Sequence, residues 1–238
     1  MKIAILDTVP RSCWDHDEGI TDGQKFVSLL SLTEPGGEYP VFYVTEDEFP
    51  RDEEVYDGFL ITGSPASVHD DEPWIHHLTA FIQRMHEQKT PLAGFCFGHQ
   101  LIAKSLGGTV GPNEEGWLIG QYDIQIDHPM PWMQPDSPVT PLFHFNKERV
   151  KQLPEQAVPF GHCGSYNDFG FVIGEHILAL QSHPEQPGRA ILNFVRAMGD
   201  GLEPALAESI FASVDPATPP SAIWSEWTIR FFRLARNR

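Results

Sequence analysis

Short apolar runs alternate with stretches whose apolar residues recur at helical spacing, and that rhythm predicts a layered α/β chain. Lys2 to Leu6, closed by Asp7, predicts a first strand. Thr21 to Leu32, with apolar Phe26, Val27, Leu29 and Leu30, predicts a helix stopped by Pro35-Gly36-Gly37. Val41 to Val44 and Gly58 to Thr62 predict the second and third strands, the third ending in the turn Gly63-Ser64-Pro65. Pro73 to Gln88 predicts a helix with proline near its start, where the missing N–H costs little. Leu92 to Phe95 predicts a fourth strand that runs straight into Cys96. Such alternation implies a parallel sheet with helices on its faces, in which ligands bind beyond the carboxyl ends of the strands. Gly63-Ser64 and Cys96 both fall at such ends.

From Gly107 to Phe171 the texture changes. Glycines, prolines and the β-like runs Leu118 to Ile126 and Leu142 to Phe145 predict antiparallel strands and loops added to the sheet edge. Phe171 to Gly174 and Ile177 to Gln181 form a predicted hairpin through Glu175-His176, and Ala190 to Met198 a helix. Two further helical stretches follow, Pro204 to Ser213 and about Ser221 to Ala235, separated by Pro216 to Pro220. The aromatic stripe Trp224, Trp227, Phe231 and Phe232 on the last predicts docking onto a core. The chain is therefore expected to be one domain over residues 1–199, with residues 200–238 a helical extension packed on it.

Composition narrows the functional classes. With 41% hydrophobic residues, 6 Trp and 16 Phe in 238 residues, the chain is globular. Sixteen basic against 33 acidic residues leave a net charge of −17 and no basic face for nucleic acid. No apolar stretch approaches the ~18 residues that span a bilayer. Three scattered cysteines, Cys13, Cys96 and Cys163, and no secretory signal at Met1 to Asp7 predict a reducing, cytoplasmic setting. The histidines lack the spacing of a metal site, so neither metal nor cofactor is expected.

The chemistry concentrates in two places. Gly94-Phe95-Cys96-Phe97-Gly98-His99-Gln100 ends an apolar strand in Gly-x-Cys-x-Gly and opens a helix, the grammar of a nucleophile elbow with Cys in place of Ser. The glycines relieve crowding at so sharp a turn, and the helix N-terminus favours the attacking thiolate. Cys13 and Cys163 have no such surroundings and read as structural or incidental. A Cys nucleophile needs a base, and the base an orienting group. His183-Pro184-Glu185, after the Ile177 to Gln181 strand, supplies both, Pro184 stiffening the turn so that the two side chains project together.

These residues resemble the class I glutamine amidotransferases, in the stand-alone, GMP-synthase-like form. Ile61-Thr62-Gly63-Ser64-Pro65 is similar to the family's oxyanion loop, Gly94 to Gln100 to its elbow, and Gln181-Ser182-His183-Pro184-Glu185 to its terminal His-Pro-Glu. Gly116-Trp117 falls where many members carry a similar pair, and the likeness spans roughly residues 2–198. It implies a flavodoxin-like, mostly parallel sheet with helices on both faces and antiparallel edge strands. It also implies Cys96 as nucleophile, His183 as general base and acid, and Glu185 as its orienter. The N–H groups of Gly63 and Phe97 would form the oxyanion hole, and Ser64, Gln100 and Trp117 would lie at the substrate. The implied reaction hydrolyses the γ-amide of glutamine or a γ-glutamyl compound through a cysteine thioester.

One departure leaves the substrate open. Many members carry His-x-Asp before Val-x-x-Leu-Pro, whereas Asn146-Lys147-Glu148 precedes Val150 to Pro154 here and His144 is out of register. Three functions remain distinct: a stand-alone γ-glutamyl hydrolase or transferase, a glutaminase subunit feeding ammonia to a separate synthetase, and a non-catalytic binding module on the same fold.

Overall fold

The computed structural model describes residues 1–13, 19–51, 54–114, 116–164 and 166–236, the side chains of 167 and 168 aside. In chain order the elements are β1 (Ile3–Asp7), α1 (Asp22–Thr33), β2 (Val41–Tyr43), β3 (Gly58–Ile61), α2 (Pro73–Glu87), β4 (Leu92–Phe95) and α3 (Phe97–Ser105). There follow β5 (Thr109–Pro112), β6 (Leu118–Ile126), β7 (Val139–Asn146), β8 (Glu148–Gln152), β9 (Ala157–Cys163), β10 (Tyr166–Ile173) and β11 (Ile177–Leu180). Helices α4 (Gly188–Met198), α5 (Pro204–Ser213) and α6 (Ala222–Ala235) complete the chain.

Nine strands form one sheet in the order β2-β1-β3-β4-β11-β10-β9-β6-β7, and β5 and β8 pair separately. From β2 to β11 the pairing is parallel; from β11 to β7 it is antiparallel. Strands β1, β3, β4 and β11 are buried along their whole length, as helices above and below require. Along β1, Ile3 and Ile5 join the core containing Phe26 and Leu29 of α1 and Trp224 and Phe232 of α6. Ala4 and Leu6 join the opposite core, with Leu78 and Ile82 of α2 and Leu101 of α3. A third cluster packs Ile191 and Val195 of α4 and Ile210 of α5 against Ile119 of β6 and Phe143 of β7.

Most predicted elements occur within a residue or two of their expected ends. Val44 leaves the second strand for a single 3-10 turn, and Thr62 lies beyond β3. β7 and β10 begin several residues before the apolar runs that announced them. Strands β5, β8 and β9 have no individual counterpart in the sequence reading. β8 is Glu-Arg-Val-Lys-Gln with only Val150 buried, and β9 carries Pro159 and Gly161, which weaken a strand signal. The stripe on α6 is core: Trp224, Trp227 and Phe232 are wholly buried, and the Trp224 indole N–H donates to Thr140 Oγ1 at 3.2 Å.

Candidate active site

Cys96 joins β4 to α3 with φ 50° and ψ −104°. A residue with a side chain rarely holds a positive φ, and such strain persists only where the surroundings over-determine it. They do so here. The Cys96 N–H donates to the Leu180 carbonyl at 2.9 Å, and the Gly98 N–H to the Thr62 carbonyl at 3.2 Å. The elbow glycines are required sterically. A Cβ on Gly98 would sit 2.7 Å from the Ile61 carbonyl oxygen, and one on Gly94 2.7 Å from the Gly98 carbonyl oxygen.

The partner imidazole arrives by sheet order. β11 lies parallel to β4 with Leu180 beside Phe95, so the chain leaving β11 passes Cys96 at the carboxyl end of the sheet. The His183 N–H donates to the Phe143 carbonyl at 2.9 Å, which ties this segment to β7. A Cβ on Gly63 would fall 2.9 Å from His183 Cε1 and 3.5 Å from Cys96 Cβ, so the Gly63 turn, the imidazole and the Cys96 side chain meet around one point. His183 Nδ1 and Glu185 Oε1 are 2.7 Å apart, and Glu185 is 1% exposed. Nε2 is buried with no aligned hydrogen-bond partner among the described residues. Burial pulls the His183 pKa down, but attraction to the negative charges of Cys96 and Glu185 outweighs it and holds the pKa well above the ordinary imidazole value.

Cys96 and His183 open into a pocket of about 520 Å³. Ser64, Gln100 and Trp117, expected at the substrate, line it, as does Phe97, expected at the oxyanion hole. Their polar atoms are partly committed. The Ser64 hydroxyl donates to the Thr8 carbonyl at 2.6 Å, and the Gln100 amide donates to the Glu148 carbonyl at 2.9 Å and Gln181 Oε1 at 3.1 Å. Trp117 packs on Phe145, with Lys147 Nζ 5.6 Å from its ring centre. Asn146, Lys147 and Glu148, the segment that departs from the family pattern, lie on the pocket wall.

Sequence reasoning missed the opposite wall, which holds Thr21, Asp22, Lys25 and Gln186 together with Ile191 and Phe194 of α4. The sequence predicted a helix from Thr21, which the structure caps through a Thr21–Gln24 capping box, yet nothing in that segment announced a pocket. Cys13, expected to be structural or incidental, also lines this pocket. Cys163 is buried in β9, where burial and the Asp123 charge push its thiol up to about 11. His144 is wholly buried beneath the His183 segment, its Nε2 3.2 Å from Ser182 Oγ. Burial and the His183 charge depress its pKa to about 3, so it is neutral at physiological pH. Among the described residues no three His, Cys, Asp or Glu side chains are grouped to hold a metal ion.

A thiol on a strained strand-to-helix elbow, beside a buried His–carboxylate pair at the carboxyl edge of a parallel sheet, defines an α/β protein of the nucleophile-elbow type. Residues 29–191 match the model of the family described as glutamine amidotransferase class-I. The chain belongs to that family. It is 28% identical over 216 residues to Gamma-glutamyl peptidase 5 of Arabidopsis thaliana, covering 87% of this chain and 86% of that one. With Gamma-glutamyl peptidase 2 of the same plant it shares 30% over 175 residues, covering 71% and 70%. The crystal structure of a glutamine amidotransferase from Thermotoga maritima superposes with a TM-score of 0.73 at 18% identity, over 99% of this chain and 97% of that one. One from Methylobacillus flagellatus gives 0.68 at 21%, over 98% and 90%. At such identities these structures speak to fold, and the fold agrees. No helix among the described residues is long and apolar enough to cross a membrane.

Proposed function

We propose that the protein hydrolyses the γ-amide bond of γ-glutamyl compounds, with γ-glutamyl peptides favoured over free glutamine. The observation that carries this reading is the meeting of Cys96 and the His183–Glu185 pair in one pocket. In it, the Cys96 thiolate attacks the γ-carbonyl carbon, forming a C–S bond and moving the carbonyl π pair onto oxygen. The N–H groups of Gly63 and Phe97 receive that oxyanion; Phe97 is the first residue of α3, so its N–H has no acceptor within the helix. Collapse breaks the C–N bond, the His183 imidazolium protonates the departing amine, and a γ-glutamyl thioester remains. Water, deprotonated by His183, attacks the thioester, and breaking the C–S bond regenerates the thiolate. Glu185 holds the imidazole in the tautomer and orientation both steps need.

The preference for peptides draws support from the relatives named as peptidases and from the apolar α4 wall, with Ile191, Phe194 and Met198, a surface suited to a leaving group larger than ammonia. Residues 200–238 are an extension of the same domain in this reading, since α6 completes the core over α1. The three free thiols suit a reducing, cytoplasmic setting. The test is turnover of a γ-glutamyl dipeptide, a γ-glutamyl anilide and glutamine by purified protein and by Cys96→Ala. A glutamine-analogue diazoketone should label Cys96 alone, as read by mass spectrometry. Glutamine turnover that outruns the peptides, or that rises sharply only with an added synthetase, would instead favour an ammonia-supplying subunit. Activity surviving in Cys96→Ala would remove the mechanism.

A further inference from the structure

We propose that Gln186 is a positioning residue for the triad, bridging the Glu185 carboxylate to Asp22 at the head of α1. The inference rests on the reading of Cys96, His183 and Glu185 as that triad. A carboxamide nitrogen carries two N–H bonds, and in Gln186 each has a carboxylate within reach. Nε2 lies 3.2 Å from Glu185 Oε1 and 3.1 Å from Asp22 Oδ1. Glu185 Oε1 thus accepts from both His183 and Gln186, while Oε2 has no partner among the described residues. Rotation about the terminal carboxylate bond would carry Oε1 away from Nδ1, and a second donor on that same oxygen opposes the rotation.

The bridge is anchored at both ends. Asp22 opens a helix capped by Thr21, and the Gly23 N–H donates to Asp7 Oδ2 at 2.8 Å, so the end of β1 fixes where Asp22 stands. Lys25 Nζ lies 3.0 Å from Asp22 Oδ1 and offsets the like charge of two carboxylates on one amide. At the other end the tail holds the turn. The Ser221 N–H donates to the Pro184 carbonyl at 2.8 Å, and the Gly188 N–H to the Thr218 carbonyl at 2.9 Å. Gln186 is 8% exposed, which limits competition from water. Asp22 and Gln186 both line the pocket that holds Cys96 and His183. The titratable groups at the bridge are Glu185 and Asp22 themselves, His183 on Glu185, Lys25 on Asp22, and Asp7, which holds the Gly23 N–H.

The experiment compares Gln186→Leu, Asp22→Ala, Asp22→Asn and the double variant Gln186→Leu/Asp22→Ala with the unsubstituted protein. It measures kcat and KM on a γ-glutamyl anilide, and the rate of Cys96 alkylation by iodoacetamide across pH. Gln186→Leu is expected to lower kcat roughly tenfold, the loss of one hydrogen bond to a charged group, with little change in KM. Alkylation near pH 6 should slow by a similar factor, because the imidazolium that supports the thiolate is less well held. Asp22→Ala should repeat part of both effects, Asp22→Asn, which keeps an acceptor, should recover most of them, and the double variant should be no worse than Gln186→Leu. Additive losses with an unaltered alkylation profile would mean a merely structural role and overturn the proposal, as would full kcat in Gln186→Leu. Should Gln186→Leu fail to fold, the Asp22 pair carries the same comparison. Alkylation needs no substrate. If it follows Gln186 while no γ-glutamyl compound is turned over, the bridge stands and the proposed substrate class falls; Cys96-dependent turnover indifferent to Gln186 gives the reverse.

Discussion

Replacing Glu185 by Gln tests the charge logic of this site with the least change of shape. The structure places a carboxylate oxygen 2.7 Å from His183 Nδ1 in a pair that solvent barely reaches. An amide at that position can still accept from Nδ1–H, so what is lost is the charge. Unit charges centred about 4 Å apart attract by about 4 kcal/mol at an effective dielectric near 20, and at about 1.4 kcal/mol per decade that is up to ~10³-fold. Rearrangement of the pocket returns part of it, so kcat/KM for a γ-glutamyl anilide should fall about 10²–10³-fold in Glu185→Gln. The direction with pH follows from the raised His183 pKa. The folded state binds the imidazole proton more tightly than the unfolded chain does. The associated stability is therefore present in full below the unfolded imidazole value, about 6.5, and is lost as pH rises through the folded value. The Tm difference between the unsubstituted protein and Glu185→Gln should accordingly be widest near pH 6 and shrink toward alkaline pH. Activity within about twofold of the original, or a Tm gap that widens with pH, would refute this electrostatic account.

Three further outcomes follow from the packing. Gly98→Ala drives a Cβ to 2.7 Å from the Ile61 carbonyl oxygen and should cost about 1–3 kcal/mol, read as a Tm several degrees lower; an unchanged Tm would mean the elbow is looser than described. Trp224→Ala empties a wholly buried site between α6 and the sheet and should cost about 3–5 kcal/mol, showing in denaturant unfolding as a lower midpoint at nearly constant m; a loss below about 1 kcal/mol would contradict the integration of α6 into the core. His176 and His86 meet at 3.0 Å, and burial, followed by the Lys89 charge, lowers both pKa values, that of His176 to about 4. The unfolded chain then binds more protons than the folded one between about pH 4 and 6.5, so stability falls on acidification through that window, and His176→Gln should flatten the fall; an equal slope in the variant would exclude this pair as a cause.

The fold seats this chemistry through one topological fact. β4 and β11 are neighbours in the sheet although six strands and a helix lie between them in the chain. Their parallel register, with Phe95 beside Leu180, sets the elbow and the His183 segment side by side.

The sequence by itself determined what short-range physics governs. The elbow was legible because its steric demand, a side chain at positive φ between the close-packed Gly94 and Gly98, is met within one short segment. The His183–Glu185 pair was legible for the same reason, its partners being two positions apart across a proline. The parallel strands were legible because burial on both faces leaves continuous apolar runs, and the stripe on α6 because a helix buries one face. Strands β8 and β9 were not, since pairing partners, and not their own apolar content, hold them in place. Only the tertiary structure decided that Cys96 faces His183, that the tail clamps the His183 turn, and that Gln186 reaches Asp22 across 164 residues of chain. Contacts of that range are set by strand order and by the packing of whole elements, and no local propensity encodes which distant side chain will complete a buried hydrogen bond.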